Sequence, residues 1–592
     1  MFEAANNNFE EIPLTARYWQ NIRAINLAAN SIVTVPQWIC ELCTLRKMNL
    51  SDNQLSFIPT SVVLLSNLTS IVISGNKLRN PPSCLVDEGD MSAIFRYLTV
   101  IRLTDTYLCL DKMNLTDIGD LEVLPVLGNL VSLSCSMNPL TQLNDSVCLL
   151  PALTFLNLSH CRFAEIPSVL NSLTQLSHLD MSHNCLITAG SSLGHCLKLV
   201  HLNLSHNSTL KQLECALGKI SLLTTLNIIG CKIDFPPHEV TKRGVRFVVR
   251  FLDAIGMACE GSGLHLRGFF LEILHEKMYF PKCNVVSFAN NQLRTLTDRI
   301  SSYVSCTHLD LSGNMLQALP DSITGIKFLK ILLLDDNILS SLPLALGLLG
   351  QLRVLSLGHN ALTASAFSDK PSLFTSLNRL ILDSNPLQSL PAFATLAPLK
   401  FLSVDSCKLS SLPSDSSNKL SSMTELCLSN NQLCALPDLS GWTALQRLKV
   451  SNNCLVSIPP SVQFLTNLVE LSLCGNALTD APVELVLLTN LTYLHLGDSF
   501  AGEIPQEILR YGGVVSVLAY LNKLKEARIT KEFDLRHLGL KQVPYVLKNI
   551  PGLRKLLLDN NSIAVLPLWL CDILSLLRSH CYCAQFPAYL CR

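Results

Sequence analysis

The 592-residue chain carries 45 Lys and Arg residues against 45 Asp and Glu residues, so its formal net charge at pH 7 is zero. Balanced charge gives no general attraction to nucleic acid or acidic lipid, and an apolar content of 48% argues against a disordered chain. No apolar run reaches the roughly 18 residues that a membrane-spanning helix needs, so we predict no transmembrane segment.

The N-terminus and the cysteines favour a cytoplasmic location. The chain starts MFEAANNNFEEIP, which lacks the basic start and apolar segment of a signal peptide. Its 23 cysteines are an odd number and scattered, without the terminal groups that close a disulfide-capped secreted array. The first strand would start without a cap, so we expect either that its edge is covered or that the natural chain is longer.

One template repeats along most of the chain. It reads L-x-L-x-x-N-x-L-x-x-L-P, as in MNLSDNQLSFIP at 48–59, LDLSGNMLQALP at 309–320 and LCLSNNQLCALP at 426–437. A regular period near 23 residues indicates a solenoid, in which each unit buries its leucines against its neighbours. Counting the units in which another residue replaces the asparagine, we predict about 24 repeats.

The residue types of the template have physical reasons. The L-x-L piece alternates with period two, which predicts a short strand with inward leucines, and successive strands should pair in parallel. The turn after each strand leaves buried backbone groups, and an asparagine amide can both donate to and accept from them. Cysteine at this position fits the space and donates weakly, and the L-P step turns the chain back. The predicted ladder residues are Asn30, Asn53, Asn76, Asn138, Cys161, Asn184, Asn207, Cys231, Asn291, Asn314, Asn337, Asn360, Asn385, Cys407, Asn431, Asn453, Asn476 and Asn561.

Three segments, 81–89, 236–244 and 504–512, interrupt the template in the same way. Each has proline at its first or second position, ends in glycine and continues to an aromatic-leucine pair. Proline suits the start of a helix, and the apolar spacing that follows is helical. A glycine kept inside such a helix predicts the close approach of another backbone. The predicted convex-side helices cover 83–98, 238–254 and 506–524.

The unit after each interruption places an apolar residue at the ladder position. Met113, Phe269 and Leu538 cannot bridge neighbouring turns as an asparagine does. We therefore predict four blocks within one continuous solenoid, with slight bends at the junctions. The blocks cover 1–99, 100–255, 256–527 and 528–592, and the last ends in a degraded repeat.

The template and the interrupting segments resemble the leucine-rich repeat superfamily, and the L-P step resembles its intracellular Ras-group type. Scribble/Erbin-like scaffolds, plant intracellular Ras-group proteins and the Roco family contain that type. The resemblance implies an α/β solenoid with a curved, parallel concave sheet and a scaffold or adaptor role in small-GTPase-type signalling. It implies protein partners, among them a small GTPase or a phosphatase or kinase complex.

Two other functions stay open beside the scaffold. One is a regulatory array separated from a larger Roco-like multidomain enzyme, and the other is an extracellular recognition receptor. No phosphate-binding loop, kinase signature or nucleophile elbow is present, so we predict no enzyme activity, no catalytic residue and no cofactor. Cys40 and Cys43 lack the second pair that a zinc site needs, and no aromatic-basic interleaving suggests nucleic acid.

Two histidine columns lie at outward positions of the second block. His160, His183 and His206 form one column, and His178 and His201 form the other, with members one repeat apart. The columns either bind a metal or sense pH, or they are solvated rings that duplication has repeated. No cysteine or carboxylate cluster completes a coordination shell around them.

Carboxylates occupy outward positions in the third block. Asp383 and Asp405 fall on adjacent rungs, roughly 5 Å apart, where like charges need water or a basic partner to screen them. These residues form either a docking stripe for a basic protein surface or an ordinary solvated face. Basic residues then reverse the sign two rungs further on. The candidate partner-binding residues are Asp310, Asp335, Asp383, Asp405, Arg447, Lys449, His178 and His201.

Overall fold

Most repeats begin with a strand of two or three residues whose middle side chain is buried. The computed structural model describes residues 1–123, 127–367, 374–390, 398–413, 420–479, 482–497, 500 and 503–570. Backbone contacts divide the chain into two units. The first comprises Met1–Glu260 with Phe269–Leu271, and the second comprises Gly261–Gly268 with Glu272–Arg592.

The first unit contains a four-stranded and a six-stranded parallel sheet. The four-stranded sheet consists of β1 (Phe2–Glu3), β2 (Ala24–Asn26), β3 (Lys47–Asn49) and β4 (Ser70–Val72). The next strands are β5 (Tyr107–Cys109), β6 (Ser132–Ser134), β7 (Phe155–Asn157), β8 (His178–Asp180), β9 (Thr188–Ala189), β10 (His201–Asn203), β11 (Gln212–Leu213) and β12 (Thr225–Asn227). Of these, β9 and β11 pair with each other, and the other six form the second sheet.

The second unit contains an eleven-stranded parallel sheet. Its strands are β13 (Leu264–His265), β14 (Val285–Ser287), β15 (His308–Asp310), β16 (Ile331–Leu333), β17 (Val354–Ser356), β18 (Arg379–Ile381), β19 (Phe401–Ser403), β20 (Glu425–Cys427), β21 (Arg447–Lys449), β22 (Glu470–Ser472) and β23 (Tyr493–His495). A further pair, β24 (Glu532–Asp534) and β25 (Lys555–Leu557), follows. Leu332 lies beside Leu309 and Leu355 in register, so the parallel pairing predicted for consecutive L-x-L strands is confirmed.

Short 3-10 helices carry the chain back after many of the turns. Extended prolines precede many of them, with φ of −64° at Pro59, −73° at Pro320 and −63° at Pro343. Because the proline ring holds φ in this range, the L-P step fixes where each 3-10 helix begins. They span Leu14–Tyr18, Gln37–Glu41, Thr60–Leu64, Leu121–Val123, Leu127–Asn129, Asp145–Leu149, Ser168–Ser172, Ser191–Leu193, Cys215–Lys219, Glu276–Met278, Asp298–Ser302, Asp321–Gly325, Leu344–Leu348, Ala364–Phe367, Pro460–Phe464, Val483–Leu487 and Tyr545–Asn549.

Each interrupting segment forms two helices, so the prediction of a single helix was wrong. A glycine with positive φ lies between the helices of the first two pairs, with φ of 66° at Gly89 and 90° at Gly244. In the third pair Gly512, with φ of −84°, lies between the helices, and Gly513, with φ of 63°, begins the second helix. Side chains disfavour this conformation, and glycine adopts it freely. The helices are α1 (Ser83–Asp87), α2 (Met91–Leu103), α3 (His238–Thr241), α4 (Val245–Cys259), α5 (Gln506–Tyr511) and α6 (Gly513–Thr530).

The expected close backbone approach is absent at Gly89 and Gly244 but occurs at Gly512, where a built Cβ would lie 2.7 Å from the carbonyl oxygen of Ile508. A Cβ built on Gly89 or Gly244 would meet nothing within 4 Å. A Cβ on Gly218, in the 3-10 helix before α3, would instead overlap the backbone nitrogen of Asp253 in α4. Gly89 and Gly244 therefore serve a turn between helices, and Gly218 allows α4 to pack tightly on the preceding repeat.

The aromatic residue of each interrupting segment anchors its longer helix. Tyr97, Phe251 and Tyr520 are all fully buried. The hydroxyl of Tyr97 donates to the carbonyl of Ile118 at 2.8 Å, and that of Tyr520 donates to the carbonyl of Glu503 at 2.8 Å. Phe251 has no hydroxyl and packs edge-on against two other phenylalanine rings. Among the described residues, no helix is long and apolar enough to cross a membrane.

Candidate functional site

The asparagine amides connect consecutive turns. Asn337 donates from Nδ2 to the carbonyl of Leu311 on the previous repeat at 3.0 Å and to its own repeat's Leu334 at 3.1 Å. Its Oδ1 accepts from the N–H of Leu316 at 3.0 Å. Donation to two carbonyls recurs at Asn30, Asn53, Asn76, Asn138, Asn184, Asn207, Asn291, Asn314, Asn360, Asn385, Asn431, Asn453, Asn476 and Asn561.

The cysteines at the ladder position supply only a donor. The thiols of Cys161, Cys231 and Cys407 donate to carbonyls of the previous repeat at 3.4, 3.1 and 3.1 Å. Burial raises the pKa of all three thiols, that of Cys407 to about 12. These side chains therefore stay protonated and act as ladder donors.

The asparagine after a substituted position takes over the missing acceptor. Oδ1 of Asn138 accepts from the N–H groups of both Met113 and Leu115 at 3.0 Å. Asn431 does the same for two N–H groups of the Cys407 repeat, and Asn561 for two of the Leu538 repeat. The N–H groups of a turn with an apolar residue at the ladder position thus stay paired. This pairing was not predicted from the sequence, because each ladder residue was considered separately.

An apolar patch lies on the outer surface of the eleven-stranded sheet. The first and third residues of each strand point outward and form what we call the strand face. On β16 to β19, five of these outward residues are large and half-buried: Ile331, Leu333, Val354, Ile381 and Phe401. In the register of the strands, Ile331 lies beside Val354, Arg379 lies between Val354 and Phe401, and Ile381 lies between Ser356 and Ser403. We call the five apolar residues the apolar patch.

A cation lies between two residues of the apolar patch. The guanidinium of Arg379 stacks over the ring of Phe401, 3.6 Å from its centre. This contact attracts the cation to the face of the ring and holds both side chains in place. Arg379, at the start of β18, therefore lies between Val354 and Phe401 within the row of first strand residues.

Three carboxylates border the patch at the ends of the strands. Oδ1 of Asp335 accepts from the hydroxyl of Ser356 at 2.6 Å and from a backbone N–H at 2.8 Å. Oδ1 of Asp383 likewise accepts from the hydroxyl of Ser403 at 2.6 Å and from the N–H of Asp405 at 2.8 Å. Among the described residues, the second oxygen of each carboxylate accepts no hydrogen bond.

Asp405 lies on the strand next to Asp383 and is the most perturbed carboxylate of the group. Burial raises the pKa of Asp405 to about 6, against the lowering effect of a hydrogen bond from the N–H of Ser429. The negative charge of Asp383 raises this pKa further, and Lys449 lowers it. The carboxyl therefore titrates close to physiological pH.

The other charged candidate residues already form hydrogen bonds or ion pairs with residues of the strand face. Asp310 accepts hydrogen bonds at both oxygens, from the hydroxyls of Ser287 and Ser312. Arg447 pairs with Glu425 at 2.7 Å, and Lys449 pairs with Glu470 at 3.6 Å. The predicted reversal of sign is therefore neutralised on the face itself.

The histidine columns are stacks of rings. His183 lies between His160 and His206, with ring centres 4.0 and 4.3 Å apart, and His178 stacks on His201 at 4.3 Å. Desolvation lowers the pKa of His183 and of His178, and the adjacent rings lower it further. Within the described ranges, no group of three or more His, Cys, Asp or Glu residues could hold a metal ion.

The Leucine Rich Repeat family model matches residues 152–173, which form one repeat of the array. The same strand, ladder residue and 3-10 helix recur through both units. The chain has the leucine-rich-repeat fold.

Solved leucine-rich-repeat structures match most of the chain at low identity. An LRR protein of Leptospira interrogans is 22% identical with a TM-score of 0.26, covering 83% of this chain and 94% of that one. YopM of Yersinia enterocolitica is 20% identical with a TM-score of 0.29, covering 83% and 90%. The ectodomain of the Arabidopsis thaliana receptor kinase GASSHO1/SCHENGEN3, in complex with Casparian strip integrity factor 2, is 22% identical with a TM-score of 0.34, covering 94% and 69%. A search of curated proteins found no match.

The leucine-rich-repeat register explains why the apolar patch was not predicted. Leu333 and Ile381 sit between the two leucines of their repeats. Ile331, Val354 and Phe401 come directly before the first leucine, and each of the five resembles an ordinary strand former in its own repeat. The signal lies between repeats, because Ile331, Val354 and Phe401 occupy the same strand position in different repeats. Comparing the outward positions of successive repeats would have found it.

Proposed function

We propose that this leucine-rich-repeat chain binds another protein on the strand face of its eleven-stranded sheet and acts as a non-enzymatic scaffold or adaptor. The observation that carries the proposal is the apolar patch on β16 to β19. Apolar side chains grouped on a surface and bordered by polar ones are typical of protein-binding sites. An eleven-stranded sheet offers a long surface around that patch.

The candidate charged residues have different roles in this proposal. Asp335, Asp383 and Asp405 contact the partner, because each keeps a carboxylate oxygen without a hydrogen bond from the described residues. Asp310, Arg447 and Lys449 hold neighbouring strands in position through the bonds that they already make. His178 and His201 lie on the other unit, outside the proposed surface.

We further propose that the protein acts in cytoplasmic signalling. The 23 cysteines, an odd number without a group that caps either end of the array, support a reducing compartment. The resemblance to the Ras-group type supports a small GTPase, or a phosphatase or kinase complex, as partner. Helix pairs between the successive sheets support four blocks in the array.

Cross-linking mass spectrometry on the full chain in cells tests the proposal. In the test variant, Leu333→Asp is combined with Ile381→Asp, which places charge in the apolar patch. In the matched control, Val285→Asp is combined with Tyr493→Asp, which puts the same charges at outward first positions of β14 and β23, away from β16 to β19. Circular dichroism establishes that both variants fold.

We expect a partner that cross-links to β16–β19 in the wild type and the control, and at least tenfold less in the test variant. The affinity of that purified partner for each variant should follow the same order. Equal recovery of every cross-linked protein by all three chains would overturn the proposed site.

A further inference from the structure

We infer that the partner segment is basic and amphipathic, with apolar side chains covering the apolar patch and a lysine or arginine between Asp383 and Asp405. This inference rests on the proposed function and names the partner chemistry that the same face selects. Three observations support it: the carboxylates follow the strand ends, each keeps an oxygen without a hydrogen bond from the described residues, and Arg447 and Lys449 are paired with glutamates.

The strand face changes from apolar to acidic along the direction of the strands. The apolar patch occupies the strands themselves, whereas Asp335, Asp383 and Asp405 follow two residues after strand ends. With strands about 4.8 Å apart, the patch from β16 to β19 extends about 14 Å along the array. A helix covers that distance in roughly ten residues and an extended segment in four or five. A short segment with one apolar and one charged edge therefore matches the face.

The carboxylates are held in place but only partly satisfied. The Oδ1 atoms of Asp335 and Asp383 are bound by a serine hydroxyl and a backbone N–H of the next repeat, and that of Asp405 by the N–H of Ser429. These bonds fix the carboxylates before any partner arrives. The remaining oxygens can accept the N–H groups of an incoming cation, and arginine offers them in a planar fork.

Among the described residues of the strand face, no cation forms an ion pair with Asp383 or Asp405, although Lys449 lowers the pKa of Asp405. Lys449 is paired with Glu470, and Arg447 with Glu425. Arg379 is stacked on Phe401 at the opposite end of the strands. Asp383 and Asp405 therefore repel each other on neighbouring strands, and a partner cation would relieve that repulsion while an acidic partner would increase it.

The proton on Asp405 adds a dependence on pH. Its pKa of about 6 reflects burial first and the nearby charge of Asp383 after it. Lys449 and Glu470 lie on the strands beyond, Asp335 borders the same patch, and Arg379 lies between Val354 and Phe401. A bound cation favours the ionised carboxylate, so affinity should rise as the pH increases from 5 to 7.5.

A phage-displayed library of random 12-residue peptides, selected on the immobilised full chain, tests the inference. Counter-selection on the variant with Leu333→Asp and Ile381→Asp removes peptides that bind elsewhere. We expect the retained peptides to combine apolar residues with arginine or lysine. Their affinity should fall at least tenfold when Asp383→Asn is combined with Asp405→Asn, and less than twofold for the control Asp310→Asn. The asparagine variants keep an oxygen for the existing N–H bonds, so folding is preserved.

Exchanging the charges of the peptide and the protein tests the inference most directly. A peptide whose arginine is replaced by glutamate should lose binding to the wild type and regain it on the chain with Asp383→Lys and Asp405→Lys. Patch-dependent peptides without basic residues would overturn the inference and leave the proposed function intact. If no patch-dependent peptide emerges, the inference is overturned, and the proposed function then depends on the cross-linking result alone.

Discussion

Asn337 shows how one side chain can connect two repeats. It is 5% exposed and bonds two carbonyls and one N–H group. Without the amide, those buried backbone groups would lack partners that water cannot replace, and each such loss costs about 1–3 kcal/mol. A ladder of such residues therefore contributes stability at every turn of the array.

Replacing Asn337 by alanine should lower the local unfolding free energy by about 3 kcal/mol, because it removes one donor group and one acceptor. Asn337→Cys should cost roughly half as much, since Cys407 shows that a thiol can still donate to the previous repeat. Hydrogen exchange at the N–H of Leu316 measures both effects. The control Asn7→Ala removes an exposed amide that bonds only carbonyls of its own turn. Equal effects of Asn337→Ala and Asn7→Ala would contradict the ladder role.

Asp405 lowers stability above pH 6 as a consequence of its position. Its pKa is about 6 in the folded chain and about 3.9 in an unfolded one. Between these values the folded state holds more protons than the unfolded state. The unfolding free energy therefore falls as the pH rises through this window, and it stays lower above pH 6.

Asp405→Asn should consequently stabilise the chain at pH 7.5 by about 1 kcal/mol, allowing for solvent screening, and have little effect at pH 4. Urea unfolding at the two pH values measures the difference. Asp310→Asn is the matched control and should destabilise the chain, because both oxygens of Asp310 already accept hydrogen bonds. A stabilisation of equal size at both pH values would rule out the titration of Asp405 as the cause.

At the scale of elements, substitutions at Gly89 and Gly218 should destabilise the chain for different reasons, backbone strain at the first and steric overlap at the second. Gly89 has φ of 66° and open space around its missing Cβ, so Gly89→Ala should cost about 1 kcal/mol through strain alone. Asparagine tolerates this conformation better than alanine, so Gly89→Asn should cost less.

At Gly218 the order of the two substitutions should reverse. A Cβ there overlaps the backbone of Asp253, so Gly218→Ala should cost about 2 kcal/mol or more by displacing α4. Asparagine is larger and should cost more than alanine. Urea unfolding of the four variants measures both orders. The same order at both positions would contradict the distinct roles of these glycines.

The helix pairs show which part of an element the sequence predicts. Proline before the segment and apolar spacing within it were enough to predict helical structure near 83–98, 238–254 and 506–524. The break at the glycine was missed, because a left-handed turn leaves no trace in apolar periodicity. The helices also run further, to Leu103, Cys259 and Thr530, since their apolar faces continue to Ile101, Ala258 and Ala527.

At the scale of the whole molecule, the repeat determines what could be predicted. Parallel strands and their register follow from the L-x-L period, which brings equivalent leucines together. The pairing of outward side chains depends on residues about 20 to 25 positions apart in sequence, such as Arg447 with Glu425 and Asp383 with Ser403. No local pattern encodes those pairs, so the predicted docking stripe included Arg447 and Lys449, which are already paired with glutamates.

Loss of one ladder asparagine in the eleven-stranded sheet should destabilise mainly the neighbouring repeats. Each repeat contacts its neighbours along one dimension, so stability is the sum of repeat and interface contributions. Asn360 accepts from the N–H of Leu339 and donates to the carbonyl of Leu334, near the middle of the sheet. Asn476 makes equivalent bonds to Leu455 and Val450 near its end.

Asn360→Ala should therefore speed amide exchange on both sides of β17, with the effect fading over about two or three repeats. Asn476→Ala should act mainly on β21 to β23, because few repeats of this sheet lie beyond it. Hydrogen-exchange mass spectrometry over 264–497 maps both variants against the wild type. Uniform loss of protection across the sheet in either variant would mean that its repeats unfold together, and the nearest-neighbour description would then fail for this sheet.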